Sequence, residues 1–195
     1  MTTMSGSAAG LLLAAGAGRR IGGPKALRHD ADGTAWLLRA VGVLRDGGCG
    51  PIVVVLGAAA DEAAELLTGD TVRTVVAADW DEGMGASLRA GLRALGETDS
   101  AVAVIHLLDL PDVGPAVLTR LREAAGGDES ALVRAEYDGR PGHPVVIGRA
   151  HWADLASELH GDEGARGYLK RHGARAVECG DLATGEDVDE FPDNT

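Results

Sequence analysis

Aromatic side chains are scarce in this sequence: three tryptophans, two tyrosines and one phenylalanine in 195 residues. A core of any size must therefore be built from Ala, Val, Leu and Ile. Cysteine is nearly absent as well. Cys49 and Cys179 form no CxxC pair, which excludes a disulfide framework or a zinc-type ligand set and leaves two free thiols in a cytoplasmic protein as the expectation. No apolar run approaches the roughly 20 residues a bilayer crossing needs. No basic region precedes the first apolar run, so a signal peptide is not expected either. Positive charge is in deficit, with 18 Lys and Arg against 30 Asp and Glu and a net charge of −12. Such a surface repels nucleic-acid backbone and anionic lipid, so neither nucleic acid nor membrane is expected as a partner. The deficit reverses locally. From Leu11 to His29 there is no Asp or Glu, while Arg19, Arg20, Lys25 and Arg28 all fall there, as a site for a small anionic ligand requires.

What is present is an alternation of buried strands and amphipathic helices. Leu11–Ala14 is a short apolar run bounded by glycines, and Pro51–Leu56 is a continuous β-branched run of the kind covered on both faces of a sheet. Between them, Trp36, Leu37, Ala40, Val41 and Leu44 recur at helical spacing, and Gly47-Gly48 stops that helix. Ala59–Leu67 reads as helix and Val72–Val76 as strand. Leu88, Leu92 and Leu95 mark a further helix, Ala101–Leu108 a second long buried strand, and Pro115–Ala125 another helix. The alternation predicts a three-layer α/β fold, a mostly parallel sheet with helices on both faces, in one domain over 1–195. The second half departs from it. Ala131–Ala135 and Pro144–Ile147 read as an antiparallel hairpin joined through Asp138-Gly139, followed by helices at Trp152–Leu159 and Ala165–Arg171 and a strand at Arg175–Glu178.

The segment from Leu13 to Lys25 is rich in glycine and follows the first strand. In an open parallel sheet ligands bind beyond the carboxyl ends of the strands. Glycines let a backbone approach phosphate closely, and Arg20 and Lys25 supply the countercharge. Two common phosphate motifs fail. The third glycine of GxGxxG falls on Ile21, and the P-loop's lysine and hydroxyl are replaced by Pro24-Lys25 after Gly23. On composition alone, a turn that merely connects strand to helix explains the loop equally well.

At these residues the chain resembles the nucleotidyltransferases of molybdenum cofactor synthesis, whose LAAGxGxRxGxxK signature is matched by Leu13, Ala14, Ala15, Gly16, Gly18, Arg20, Gly22 and Lys25. Isoleucine at 21 replaces the more usual methionine. Asp79–Leu88, Leu108–Val113, Gly142-His143-Pro144, Gly161–Arg166 and Asp187-Val188-Asp189 resemble the family's later elements in order; after the last, Glu190-Phe191-Pro192 stands where Thr-Pro is usual. The Ala-Ala-Gly form resembles the cytidylyltransferase branch. The resemblance implies a Mg²⁺-dependent transfer of CMP from CTP to molybdopterin, release of pyrophosphate, and a molybdenum hydroxylase as recipient of the cofactor.

Each site residue carries a functional and a plainer reading. Asp109 ends a strand read as apolar from Ala101 to Leu108 and is the expected metal ligand, whereas Asp112 suits capping of the helix near Pro115 better. A second carboxylate must come from Asp162, Asp187 or Asp189; the resemblance favours Asp189. Leu13, Ala14, Ala15, Gly16, Gly18, Arg20, Lys25 and Ser87 are the expected nucleotide-binding set, with Lys25, Arg20 and Asp109 catalytic. Ser87 reads equally as a residue near a helix cap. His143 and Arg166 are the expected acceptor contacts; a histidine bonded to turn backbone, and an ion pair of Arg166 with Asp162 along a helix, are the alternatives. Trp36, Trp80 and Trp152 read as packing residues rather than stacking platforms, though Trp80 lies near a segment expected at the site. Three rival functions stand beside the resemblance. They are a related transferase with a sugar or polyol phosphate acceptor, a nucleotide or cofactor carrier without catalysis, and a nicotinamide-dependent reductase, which the misplaced glycine disfavours.

Overall fold

Strand β1 (Ala8–Ala14) is paired along both edges, to β2 (Ile52–Leu56) on one side and to β4 (Val102–Leu107) on the other, parallel to each. The computed structural model describes residues 7–18 and 22–188. Its sheet has seven strands in the order β3-β2-β1-β4-β6-β5-β7, where β3 is Arg73–Val76, β5 Leu132–Tyr137, β6 Arg140–Gly148 and β7 Arg175–Glu178. Of the described strands only β6 is antiparallel to its neighbours, β4 and β5. This is the three-layer, mostly parallel α/β architecture with a hairpin in the second half that the alternation of elements predicts.

The period of two along each strand divides the apolar residues between the faces. Leu12, Val54 and Val104 face one core with α1 (Trp36–Asp46), α2 (Ala60–Leu66) and α4 (Pro115–Ala125). Leu11, Val53, Val55 and Ile105 face the other, with α3 (Met84–Leu95), α5 (Trp152–Glu158) and α6 (Arg166–Arg171). The five residues at helical spacing in α1 are all buried. Cys49 and Cys179 are free and buried.

The hairpin turn is set by Asp138 and Gly139, both at positive φ (50° and 77°), the conformation a two-residue type I′ connection demands. β6 begins four residues earlier than the apolar run suggests. Pro141 and Pro144 made that stretch look broken. Pro144 falls where the ladder is irregular, between the Arg134–Val145 and Glu136–Pro141 pairs, and Pro141 lies at the end of the strand beside the turn. Two capping expectations also fail. α4 is capped by the backbone at Gly114 with no side-chain bond, and the Asp112 carboxylate accepts instead from the Thr184 N–H at 2.6 Å. The segment around Met84 forms the first turn of α3 after Gly83, so Ser87 lies inside the helix and not at its cap.

Helix α3 lies close to the sheet because Gly91 has no side chain. A Cβ there would stand 2.5 Å from Leu11 Cδ1 and 3.0 Å from Val55 Cγ2. Gly91→Ala gains helix propensity of up to about 1 kcal/mol. Overpacking against two core residues outweighs it, with a net destabilisation of about 1–3 kcal/mol expected in denaturant unfolding. A stabilised variant would show that the helix can ride off the sheet without loss.

Candidate active site

Strand order reverses between β1 and β4: the chain winds from β1 outward to β2 and β3, then returns to the other side of β1. Such a switch point opens a crevice beyond the carboxyl ends of the two strands. The loop after β1 and the turn after β4 meet there. Lys25, at the start of the 3₁₀ turn Lys25–Leu27 that the wholly buried Ala26 anchors, places Nζ 2.5 Å from Asp109 Oδ2. Both side chains are mostly covered, at 22% and 16% exposed. A cavity of about 450 Å³ opens over this pair.

Its lining gathers most of the expected nucleotide set, Leu13, Ala14, Ala15, Gly16, Gly18, Lys25 and Ser87, together with the expected metal ligand Asp109. A Cβ on Gly16 would meet no described atom within 4 Å, so what that glycine leaves open is cavity space. Gly18 stands at φ 56°, and its carbonyl accepts from the Gly23 N–H at 3.1 Å, closing the loop. Arg20 and Asp189 lie outside the described residues. The segment before Asp189 nevertheless runs beside the site, because the Val188 N–H donates to the Asp109 carbonyl at 2.9 Å.

The opposite wall was only partly foreseen. Trp80, Asp81, Gly83, Met84 and Asp162 line it. The loop carrying Asp162 sits directly on the first turn of α3. The Gly85 N–H donates to the Gly161 carbonyl at 2.9 Å, and a Cβ on Gly83 would come 2.4 Å from Asp162 Oδ1. Arg166 is exposed at the start of α6 and does not line the cavity. Residues 162–165 precede that helix, and no ion pair between Arg166 and Asp162 occurs among the described side chains, so the helical pair considered for it does not form. His143 is also absent from the lining, but it lies close enough to Asp109 to feel its charge, and its carbonyl accepts from the Tyr137 hydroxyl at 2.7 Å.

Two residues beneath the site escaped the sequence reading. His106 interrupts what reads as an apolar strand; it is 1% exposed, and its Nδ1 has no partner among the described residues. Burial pushes its pKa down to about 3, with the nearby His143 and Arg39 charges acting in the same direction. Arg39 grips both Asp30 oxygens at 2.6 and 2.7 Å and reaches the Leu108 carbonyl at 3.4 Å, tying the loop after β1 to the end of β4. Its guanidinium lies 5.5 Å from the Trp36 ring, three residues back in α1. That i, i+3 neighbourhood was the one available signal. Among the described residues no three His, Cys, Asp or Glu side chains assemble a metal site. The carboxylates at the cavity, Asp109, Asp81 and Asp162, are hard oxygen donors, which suits a cation held by one or two protein carboxylates together with phosphate and water.

Residues 10–176 match the model of the MobA-like NTP transferase domain. The chain belongs to that family. Its enzyme class is therefore nucleotidyltransferase. Nicotine blue oxidoreductase of Paenarthrobacter nicotinovorans is 37% identical over 92% of this chain and 91% of that protein. The crystal structure of Rv0371c from Mycobacterium tuberculosis H37Rv superposes with a TM-score of 0.79 at 31% identity, covering 96% of this chain and 95% of that one. A manganese complex of Rv0371c gives a TM-score of 0.76 at 29% identity, over 93% and 94%.

The neutral His106 makes stability depend on pH in a defined direction. The unfolded imidazole takes up a proton near its ordinary pKa of 6.5, whereas the folded one resists until about 3. Stability is thus fully present above about pH 6.5 and is lost as pH falls toward 3, with a slope approaching 1.4 kcal/mol per pH unit for one such group. Burial lowers the pKa of His143 as well, which adds in the same direction. Urea unfolding of His106→Gln between pH 6.5 and 4 should show a shallower loss than the wild type. Equal slopes would place the acid sensitivity elsewhere.

Proposed function

We propose that the whole chain acts as a single cytoplasmic nucleotidyltransferase domain that transfers CMP from CTP to a phosphorylated small molecule, molybdopterin, and releases pyrophosphate. The observation that carries this reading is the Lys25–Asp109 pair under the cavity at the switch point of β1 and β4. It supplies a cation for the triphosphate and a carboxylate for a metal within one contact. No described helix is long and apolar enough to cross a membrane.

In this reaction an acceptor phosphate oxygen attacks the α-phosphorus of CTP, the bond to the β-phosphate oxygen breaks, and pyrophosphate departs with its electron pair. The attacking phosphate is already anionic near neutral pH, so the work is positioning and charge neutralisation rather than proton removal. Lys25 and Arg20 would neutralise charge on the triphosphate and the leaving group. Asp109, with Asp189, would hold Mg²⁺, which supplies charge stabilisation at the phosphate oxygens; the manganese complex of Rv0371c supports a divalent cation of this kind. Leu13, Ala14, Ala15, Gly16 and Gly18 would bear on the nucleotide through the loop, and Ser87 through its hydroxyl. His143, beside Asp109, and Arg166, beyond the Asp162 loop, are the acceptor candidates. A molybdenum hydroxylase would receive the product.

A second reading has one observation behind it: the relative at 37% identity is an oxidoreductase by name. The glycine spacing weighs against a dinucleotide here, since Ile21 stands at the third glycine position of that fingerprint. One experiment separates the two. The protein is incubated with Mg²⁺, molybdopterin and each nucleoside triphosphate while pyrophosphate is measured, and in parallel with NADH or NADPH and a quinonoid dye while absorbance at the nicotinamide band is followed. Pyrophosphate with CTP ahead of GTP supports the first reading; dye reduction without pyrophosphate supports the second.

Asp109→Asn should lose on the order of 10²–10³ in turnover while CTP affinity falls less, since the lost charge acts most where transition-state charge develops. Unchanged turnover in a folded variant moves the metal elsewhere. Lys25→Ala should weaken triphosphate use with any acceptor. His143→Ala or Arg166→Ala should raise the Michaelis constant for the acceptor about ten- to a hundredfold, as loss of a charged hydrogen bond does. Steady-state kinetics in which Arg166 controls the triphosphate would reverse that map.

A further inference from the structure

We propose that Trp80 is a nucleobase-binding residue of this cavity, the aromatic wall against which the base of the triphosphate stacks. The proposal rests on the nucleotidyl-transfer reading above and adds to it which end of the cavity takes the base and what holds it.

The cavity has two chemically different ends. Lys25 and Asp109 mark the charged end, over the tip of β4. Trp80 marks the other end, over the tip of β2, where it adjoins Gly57 and Ala15 and has Asp81 next to it in the lining. β1 lies between, so the two ends are two strand spacings apart, about 9–10 Å. That span leaves room for a sugar between a base on the indole and phosphates on the lysine.

The indole is not merely near the cavity; the backbone is built to seat it there. A Cβ on Gly57 would come 2.6 Å from Trp80 Cγ, 2.7 Å from Trp80 Cβ and 2.8 Å from Ala15 Cβ, so Gly57, Ala15 and Trp80 converge in one notch. The Ala58 N–H fixes the Ala15 carbonyl at 3.0 Å, and the 3₁₀ turn Trp80–Glu82 is closed by the Trp80 N–H on the Ala77 carbonyl and the Gly83 N–H on the Trp80 carbonyl, both 3.2 Å. Trp36 and Trp152 are 2% and 5% exposed and serve the cores, whereas Trp80 is half-buried and lines the cavity. In a chain with six aromatic residues, an indole kept partly open at a ligand cavity is placed for a planar partner. Ala15 shares the notch, so any change at that loop position is felt through the same wall.

The test compares CTP with inorganic tripolyphosphate, which offers the charges without the base. Tryptophan emission should be quenched by CTP and not by tripolyphosphate, and the quenching should be absent in W80F. By calorimetry, W80L should bind CTP about tenfold or more weakly than wild type, with tripolyphosphate affinity unchanged and W80F closer to wild type. Equal losses for CTP and tripolyphosphate, or CTP binding indifferent to both variants, would overturn the proposal. If W80L fails to fold, the wild-type and W80F titrations decide it alone. Should the wild-type protein bind no nucleotide at all, the transfer reading fails and this assignment with it; tight CTP binding without any change at Trp80 sinks only the stacking wall.

Discussion

The placement of β1 is the constraint on which everything else depends. Its backbone is satisfied on both edges and its side chains are buried on both faces, with Leu11 and Leu12 fully covered. Such a strand cannot shift register without turning its residues out of both cores at once. Its carboxyl end is thereby fixed between those of β2 and β4, and every group at the cavity is placed relative to it. Gly57 and Trp80 stand on the β2 side, and Asp109 on the β4 side. Lys25 meets Asp109 there.

The ion pair between Lys25 and Asp109 is the electrostatic consequence. A net charge of −12 would drive anionic ligands away from most of the surface. The loop from Leu11 to His29 carries no carboxylate of its own, and the lysine it delivers meets its countercharge from a position 84 residues later. Two charges withdrawn together into a partly covered site are stable only while paired. A triphosphate with a divalent cation offers both members new partners at once, phosphate for the ammonium and metal for the carboxylate.

Much of this was legible in the sequence, and the boundary between what was and was not has a physical cause. Local periodicity revealed the strands and helices: the β-branched run of β2, the five-residue stripe of α1 and Asp138-Gly139 at the hairpin all stand where their spacing says. The glycine loop could be located because a strand precedes it. What escaped are residues whose meaning lies in contacts between distant segments. His106 sits in a strand that is otherwise apolar, and nothing local distinguishes it from a gap in the pattern. Trp80 reads as packing because half of it does pack; that Gly57 seats it against a cavity depends on β2 and the segment after β3 meeting side by side. Asp112 looked like a cap by proximity, yet the N–H that claims it is on Thr184, 72 residues away.

That last contact bears on how the two halves of the chain come to share one site. The Thr184 N–H on Asp112 and the Val188 N–H on Asp109 stitch the last described residues along the turn that carries the metal candidate. Between them Gly185 lies flat on the Tyr137 ring, where a Cβ would come within 2.2 Å. The hydroxyl of the same tyrosine holds the His143 carbonyl at 2.7 Å. The β5–β6 hairpin, the terminal segment and the β4 turn are therefore one connected unit, and Asp109 is its point of contact with the loop from β1. On the other wall, Asp162 reaches the same cavity by resting on α3. Residues from the second half thus reach the cavity of the glycine loop from two directions.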